Sequence, residues 1–413
     1  MSAIRSRTPP RTPRAATRAR AGGGGAVEGP SDPVEVFCRV RPLPDDGTET
    51  CSSTEDDYTV KIFPPASWLP SKQLQLPKES TNKFTRVFAD WCSQEDVFDR
   101  VAFPLVCDLV HGNNGLLFTY GITGSGKTFT MTGNPREPGI LPRCLDVLFN
   151  SIDTLQAPSC LFTPDGMNAF DIMSETEAAL QKQRAKLDAN GGSMNSLNAA
   201  APKVTLAQRT PGRRALAEIN RDDQWEMRPR QAESSKVHNV DDDSTYAVFV
   251  SYVEIYNNYI YDLLDPNANN SSKYNCPLLQ SKGLREDMEH NMYVSGVNEI
   301  EVKSTEEAFD VFVQGQKLRR VAHTQLNTES SRSHSVFTIR LVQAPLDNTG
   351  RRVLDDKNKI RISQLCLVDL AGSERSSRTG NQGDRMKETG HINTSLMVLR
   401  QCIEQLRSVD DRC

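Results

Sequence analysis

Residues Gly121-Ile122-Thr123-Gly124-Ser125-Gly126-Lys127-Thr128 read G-x-x-x-x-G-K-T. Glycines at this spacing let backbone N–H groups close around phosphate oxygens, and a helix opening near Lys127 points its positive end at them. Lys127 is long enough to reach the β and γ phosphates, and the Thr128 hydroxyl is a hard oxygen ligand for Mg²⁺. The stretch is therefore expected to cradle a nucleoside triphosphate. Just before it, Gly115–Tyr120 is a short, continuous apolar run, as in a strand buried on both faces of a parallel sheet. The guanine-specificity pattern N-K-x-D is absent. Asn358-Lys359-Ile360-Arg361 begins it but lacks the aspartate, which favours ATP.

Two later stretches add chemistry. Asn327-Thr328-Glu329-Ser330-Ser331-Arg332-Ser333-His334 is a hydroxyl-rich turn leading into a strand over 335–342. Leu365-Cys366-Leu367-Val368-Asp369-Leu370-Ala371-Gly372-Ser373-Glu374 reads as a buried strand ending in an acid and a glycine. An aspartate at the carboxyl end of such a strand is where a P-loop enzyme holds its magnesium shell. Gly372 can bring its N–H close to a γ-phosphate, so that loss of the phosphate releases the loop. Serine clusters are usually caps and turns, and D-x-x-G alone is weak. Their order after a P-loop gives the pair its force.

These residues need positioning elements. Val34-Glu35-Val36-Phe37-Cys38-Arg39-Val40 alternates as a strand does, stopped by Pro42 and Pro44. Val97, Phe98, Val101, Leu105 and Leu109 recur at helical spacing over 97–110, and residues 246–252 read as a further strand. Ser174-Glu175-Thr176-Glu177 is a capping-box start for a helix to about Leu187. Residues 157–243 hold little apolar content and read as a surface insertion.

The 413 residues are 37% hydrophobic and 25% charged, which suits a soluble α/β protein. No apolar run is long enough to span a bilayer. A net charge of −4 excludes a globally basic nucleic-acid coat. Ten cysteines without C-x-x-C or zinc spacing read as reduced thiols, with Cys38 and Cys366 as small core residues, suiting the cytosol or nucleus. Residues 1–32 carry Arg5, Arg7, Arg11, Arg14, Arg18 and Arg20 and then Gly22 to Gly25, and are expected to be a disordered basic arm. Thr8-Pro9 and Thr12-Pro13 look like sites for proline-directed kinases.

G-x-x-x-x-G-K-T, N-x-x-S-S-R-S-H and D-L-A-G-S-E in this order resemble the P-loop, switch I and switch II of a kinesin motor. Arg39-Val40-Arg41-Pro42 resembles the family's adenine-side R-x-R-P, and Glu254-Ile255-Tyr256-Asn257 and Ile392-Asn393-Thr394-Ser395-Leu396 also match. The chain is similar more narrowly to the kinesin-6 family, the mitotic kinesin-like proteins that include the motor subunit of centralspindlin. The long insertion after Ile152 is a feature of that family.

The resemblance implies a P-loop NTPase fold of kinesin type: a central mixed, mostly parallel sheet flanked by helices, over 33–407, with a tail at 408–413. It implies ATP and Mg²⁺, held by Lys127 and the P-loop and, for the metal, by Thr128, Ser331 and Asp369. Ser330 and Gly372 would help place the attacking water, and Arg332 and Glu374 would form a salt bridge joining the switches. Arg39, Arg41, Pro42 and Phe129 would border the adenine. The segment 376–390 corresponds to the loop after switch II, and 391–406 to the helix that lies on the microtubule. From Arg375 to Arg407, six basic residues stand against three acids, a patch suited to tubulin's acidic surface. For the whole family member, a homodimer, a Rho-family GTPase-activating partner, and a place at the spindle midzone and midbody in cytokinesis follow, with the nucleus as an interphase location.

The family's last core strand, final helix and neck linker have no counterpart before Cys413, so the chain is expected to be a truncated motor. A sheet lacking an interior strand would expose unpaired backbone groups. Two alternatives stay open: another kind of P-loop ATPase, and a non-motile fragment that binds nucleotide or microtubules without turnover.

Overall fold

The computed structural model describes residues 2–7, 34–43, 50–63, 79–174, 176–181, 183, 230–266, 279–324, 332–350, 352–354, 356–374 and 384–410. The first strands are β1 (Ser2–Arg7), β2 (Val34–Arg39), β3 (Ser52–Thr54), β4 (Thr59–Ile62), β5 (Ser80–Lys83), β6 (Arg86–Phe88) and β7 (Gly115–Tyr120). Next come β8 (Phe162–Pro164), β9 (Phe170–Ile172), β10 (Ser244–Tyr256), β11 (Tyr259–Asp262) and β12 (Ser281–Glu286). The last are β13 (Met292–Ser295), β14 (Ile300–Val302), β15 (His334–Pro345) and β16 (Arg361–Asp369). One sheet of 11 strands runs in the order β13-β12-β11-β10-β15-β16-β7-β1-β2-β6, with β14 added beside β10.

The sheet is mixed and helix-flanked, as expected, but antiparallel pairing dominates it. Only β16–β7 and β2–β6 are parallel among its described pairs. The reason is local: β10, β15 and β16 form long antiparallel ladders, and β15 turns back into β16 through a connection of about 15 residues. The one parallel step at the centre, β16 on β7, aligns Leu365 with Gly115 and Asp369 with Thr119.

Both faces of the central strands are covered, which explains their unbroken apolar character. Leu117, Leu365, Leu367, Val250 and Phe337 join the main core with the helices Phe103–Val110, Ile140–Ile152 and Thr305–Thr324. Phe118 and Val368, pointing the other way, join Leu370, Ala371, Ile392 and Leu396 under the helix Asp384–Asp410. On that helix Thr389, Ile392 and Leu396 are buried, and Leu399 and Ile403 pack beside them, a 3–4 spacing that makes one seated stripe. The helix starts at Asp384, so the end of the segment expected as loop over 376–390 is helical. The 97–110 helix is also more broken than its periodicity suggests: Gln94–Val97, a π-helical Phe98–Ala102, then Phe103–Val110.

The ends of the 157–243 insertion pack into the domain. Ala157, Phe162 and Phe170 cover Phe249, Val342 and Ala344. Arg230 pairs with Asp146, and Glu233 with Arg143. The Ser174 capping box forms, with Glu177 N–H donating to the Ser174 hydroxyl at 3.3 Å and Ser174 N–H to the Glu177 carboxylate at 3.0 Å. The rest of the predicted helix toward Leu187 lies mostly outside the described residues.

The arm over 1–32 departs from the expected disorder at its start. Ser2–Arg7 is an interior strand, antiparallel to β7 (Ser2 opposite Tyr120, Arg7 opposite Gly115) and to β2 (Ser2 opposite Cys38, Ser6 opposite Val34). Without β1, the facing edges of β2 and β7 would present unpaired N–H and C=O groups inside the molecule, and pairing removes that cost. Ile4→Pro takes one donor from this ladder and leaves an acceptor unpaired, so it should lower unfolding stability by about 1–3 kcal/mol. Denaturant unfolding, with amide exchange read at β2 and β7, checks this; unchanged exchange in both strands would show that β1 does not hold them.

Candidate active site

The loop after β7 turns on glycines. Gly124 and Gly126 sit at φ +77° and +95°, left-handed values that a side chain resists. Gly126 opens the short helix Lys127–Met131. Lys127, 6% exposed, folds back so that its ammonium donates to the carbonyls of Gly121 (2.9 Å) and Ile122 (3.0 Å). Burial lowers its pKa, and the charges of Asp369 and Glu374 oppose that shift. The Arg41 guanidinium reaches the Gly124 carbonyl.

Because β16 runs parallel to β7, Asp369 stands beside the P-loop's base. One carboxylate oxygen accepts from the Thr119 hydroxyl at 3.2 Å and the other from the Thr128 hydroxyl at 2.8 Å. The two hard-oxygen groups assigned to the metal thus converge. Ser125 Oγ, within the loop, is buried without a hydrogen-bond partner. This donor set fits a magnesium–triphosphate group. The third proposed metal residue, Ser331, lies outside the described residues, as does Ser330.

The backbone beyond β16 is stitched to the P-loop: Ser373 N–H donates to the Gly121 carbonyl at 3.1 Å. Gly372 sits so close to the loop that a Cβ there would collide with the Thr123 hydroxyl and the Glu374 carboxylate. Glu374 accepts from Thr123 Oγ1 at 2.7 Å and Thr123 N–H at 3.0 Å. Burial pushes its carboxyl up, but the Thr123 hydrogen bonds and Lys127 outweigh this, so its pKa falls below the ordinary value.

The expected Arg332–Glu374 bridge is not made. Arg332 donates instead to the Glu388 carboxylate at 2.6 Å and the Thr389 hydroxyl at 3.0 Å, both on the helix Asp384–Asp410. The physical reason is competition. Each partner has a nearer group of suitable charge or polarity, Thr123 for the acid and Glu388 for the base.

On the adenine side, Arg39 faces inward. It donates to Gln94 Oε1 at 2.7 Å and Thr130 Oγ1 at 2.8 Å, and lies 5.4 Å from the centre of the Phe129 ring. Gln94 donates in turn to the Phe129 carbonyl at 2.6 Å. Arg39 therefore braces the P-loop helix and Phe129 from behind, while Pro42 is exposed.

Several groups at the site carried no motif signal of their own. Thr119 and Thr123 are ordinary strand and loop threonines whose partners depend on the β7–β16 register. Gln94 and Glu388 are distant in sequence from what they touch. Arg319, fully buried, donates to Glu254 (3.3 Å), to the Ser333 hydroxyl (2.9 Å) and to the Ser335 hydroxyl (3.1 Å). It thus ties β10 to the start of β15.

A sequence profile described as "Kinesin motor domain" matches residues 39–412. The chain is 49% identical over 376 residues to the Kinesin-like protein KIF23 of Mus musculus, covering 91% of this chain and 37% of that protein. It is 33% identical over 385 residues to the Kinesin-like protein KIF20B of Homo sapiens, covering 91% of this chain and 20% of that one. The chain thus spans well under half the length of these relatives. A solved structure described as "kinesin 6" superposes with a TM-score of 0.67 at 38% identity, covering 90% of this chain and 82% of that one.

Burial and the nearby Arg319 push the His334 pKa down to about 4 from its ordinary value near 6.5. Unfolded, this histidine takes up its proton near 6.5, and folded only near 4. Between these values the unfolded state holds the extra proton, so stability rises with pH across that window, by about 3 kcal/mol in full. Chemical denaturation of the parent and His334→Asn at pH 4.5 and 7 should show a smaller pH dependence in the variant; equal dependence would refute the assignment.

Proposed function

Since this chain belongs to the kinesin motor-domain family, we propose that it hydrolyses ATP at the loop 121–128 and couples the reaction to microtubule binding through the helix Asp384–Asp410. The observation that carries this reading is the convergence of Lys127, Thr128 and Asp369, with the Thr128 hydroxyl 2.8 Å from the Asp369 carboxylate. Phosphoryl transfer asks a protein mainly for positioning and electrostatic stabilisation, and these groups supply both.

In this reading Lys127 leaves the Gly121 and Ile122 carbonyls to hold the β and γ phosphates. Thr128, Ser331 and Asp369 would hold Mg²⁺, which would supply positive charge to offset the negative charge that develops on the phosphate oxygens. The Gly372 N–H turns toward the terminal phosphate, and Ser330 with Gly372 places the attacking water. Arg332 then exchanges Glu388 for Glu374, closing the switches over the site. The present pairing of Arg332 with the helix is the open member of that exchange. Arg41 and Phe129 border the base, with Arg39 bracing the Phe129 ring from behind.

The exposed side of the helix Asp384–Asp410 carries Met397, Val398, Arg400 and Gln401, and supports the reading as a microtubule face. For the whole protein we place the activity in the spindle midzone and midbody during cytokinesis, with a homodimer and a Rho-family GTPase-activating protein as partners. Likeness to the kinesin-6 family supports that placement.

The chain should hydrolyse ATP faster when microtubules are added, and Lys127→Ala should reduce turnover by at least about a hundredfold. Steady-state phosphate release with microtubule pelleting checks both. Equal rates for parent and variant would leave a binding fragment without catalysis, and stimulation by nucleic acid in place of microtubules would favour another P-loop ATPase. Gly372→Ala places a methyl group against Thr123 and Glu374, and should retain nucleotide binding while losing at least about tenfold in turnover. Fluorescent-nucleotide titration beside the ATPase assay separates the two effects.

A further inference from the structure

His334 lies just past switch I, at the first position of β15, and is 8% exposed. Its ring touches two other segments. Nδ1 lies 3.1 Å from the Ala371 backbone nitrogen, and Nε2 lies 2.9 Å from the Ser395 hydroxyl. Ser395 in turn donates its hydroxyl to the Ile392 carbonyl at 2.8 Å.

The proton positions in this chain are fixed by elimination. An amide N–H only donates, so Nδ1 facing Ala371 carries no hydrogen. The Ser395 hydroxyl spends its hydrogen on Ile392, so it accepts from His334, and Nε2 carries the ring's one proton. Both ends require the same neutral tautomer. A charged ring would set a second N–H against that of Ala371, beside the buried Arg319 guanidinium. The result is a directed relay: Ala371 N–H to His334, His334 to Ser395, Ser395 to the Ile392 carbonyl.

The three linked segments are the ones whose movements must be coordinated. Ala371 immediately precedes Gly372 and packs in the cluster that seats the helix Asp384–Asp410. The apolar contacts of Phe118, Val368, Ile392 and Leu396 in that cluster are non-directional, so they seat one face of the helix on the sheet while tolerating small shifts in its rotation and axial position. The His334 ring adds a contact that depends on both. We infer that His334 is a positioning residue through which displacement of the helix Asp384–Asp410 reorients the Ala371–Gly372 peptide. The inference rests on the reading that this helix meets the microtubule.

Ser395→Ala and His334→Asn each cut the link to the helix; an asparagine can still offer an oxygen to Ala371, and Ser395 lies on the helix's partly exposed side. Both variants should lose about tenfold of the microtubule-stimulated kcat, with the microtubule concentration for half-stimulation shifted by less than about threefold. The double variant should be no worse than either single one, because both cut the same link. Stimulated rates within about twofold of the parent, or additive losses in the double variant, would overturn the inference. A parent chain that microtubules fail to stimulate would overturn the motor reading and this inference with it. One readout is independent of activity. Nitrogen NMR of the histidine-labelled chain at pH 7 should show His334 protonated at Nε2, whereas a proton at Nδ1 would sink the relay.

Discussion

The pairing of β16 with β7 is the constraint from which the site follows. It is one of two parallel pairings among the described strands of the sheet, and it sets Asp369 level with Thr119. Both strands therefore end at the same edge. The P-loop leaves one and switch II the other, side by side and running the same way. A slip of one residue would turn Asp369 to the opposite face and bring Val368 or Leu370 to the threonines. Apolar residues on both faces, Leu365 and Leu367 on one and Val368 on the other, make such a slip costly.

Behind this edge stands a second anchor. Arg319 is among the largest fully buried side chains, yet it carries a charge. Its burial is tolerated because Glu254, the Ser333 hydroxyl and carbonyl, and the Ser335 hydroxyl all accept from it. A desolvated ion pair of this kind adds little net stability, but it is intolerant of rearrangement. That intolerance suits a base plate. It holds the start of β15 at a fixed point through Ser333 and Ser335.

The sequence made the local chemistry legible and the long-range partners much less so. The cradle 121–128, the strand Gly115–Tyr120 and the acid at the end of β16 were readable because each depends on neighbouring residues and a short period. The Arg332 partner was not, since Glu374 and Glu388 are both acids distant in sequence and only the folded geometry sets Glu388 beside it. Arg39 was placed at the adenine by likeness, while its hydrogen bonds to Gln94 and Thr130 depend on the helix Gln94–Val97 lying across the P-loop helix. The sheet's antiparallel majority was hidden for a similar reason: a strand buried on both faces reads the same whichever way its neighbour runs. The strand at the start of the opening arm is hidden because arginine, proline and glycine content describes the arm's length as a whole. Composition cannot report that Ser2–Arg7 borrows backbone partners from strands more than 25 and 100 residues away.

The direction of β1 carries a practical corollary. Ser2 lies opposite Tyr120, the last residue before the P-loop, and Arg7 lies opposite Gly115 at the far edge. Anything joined ahead of Ser2, whether a purification tag, a fluorescent protein or an acetyl group, must therefore leave the sheet on the nucleotide-facing side. Such a fusion would start one strand over from the residue that leads into the P-loop. Labels meant to be silent belong elsewhere on the chain, and a small reporter placed there would sense the occupancy of the pocket.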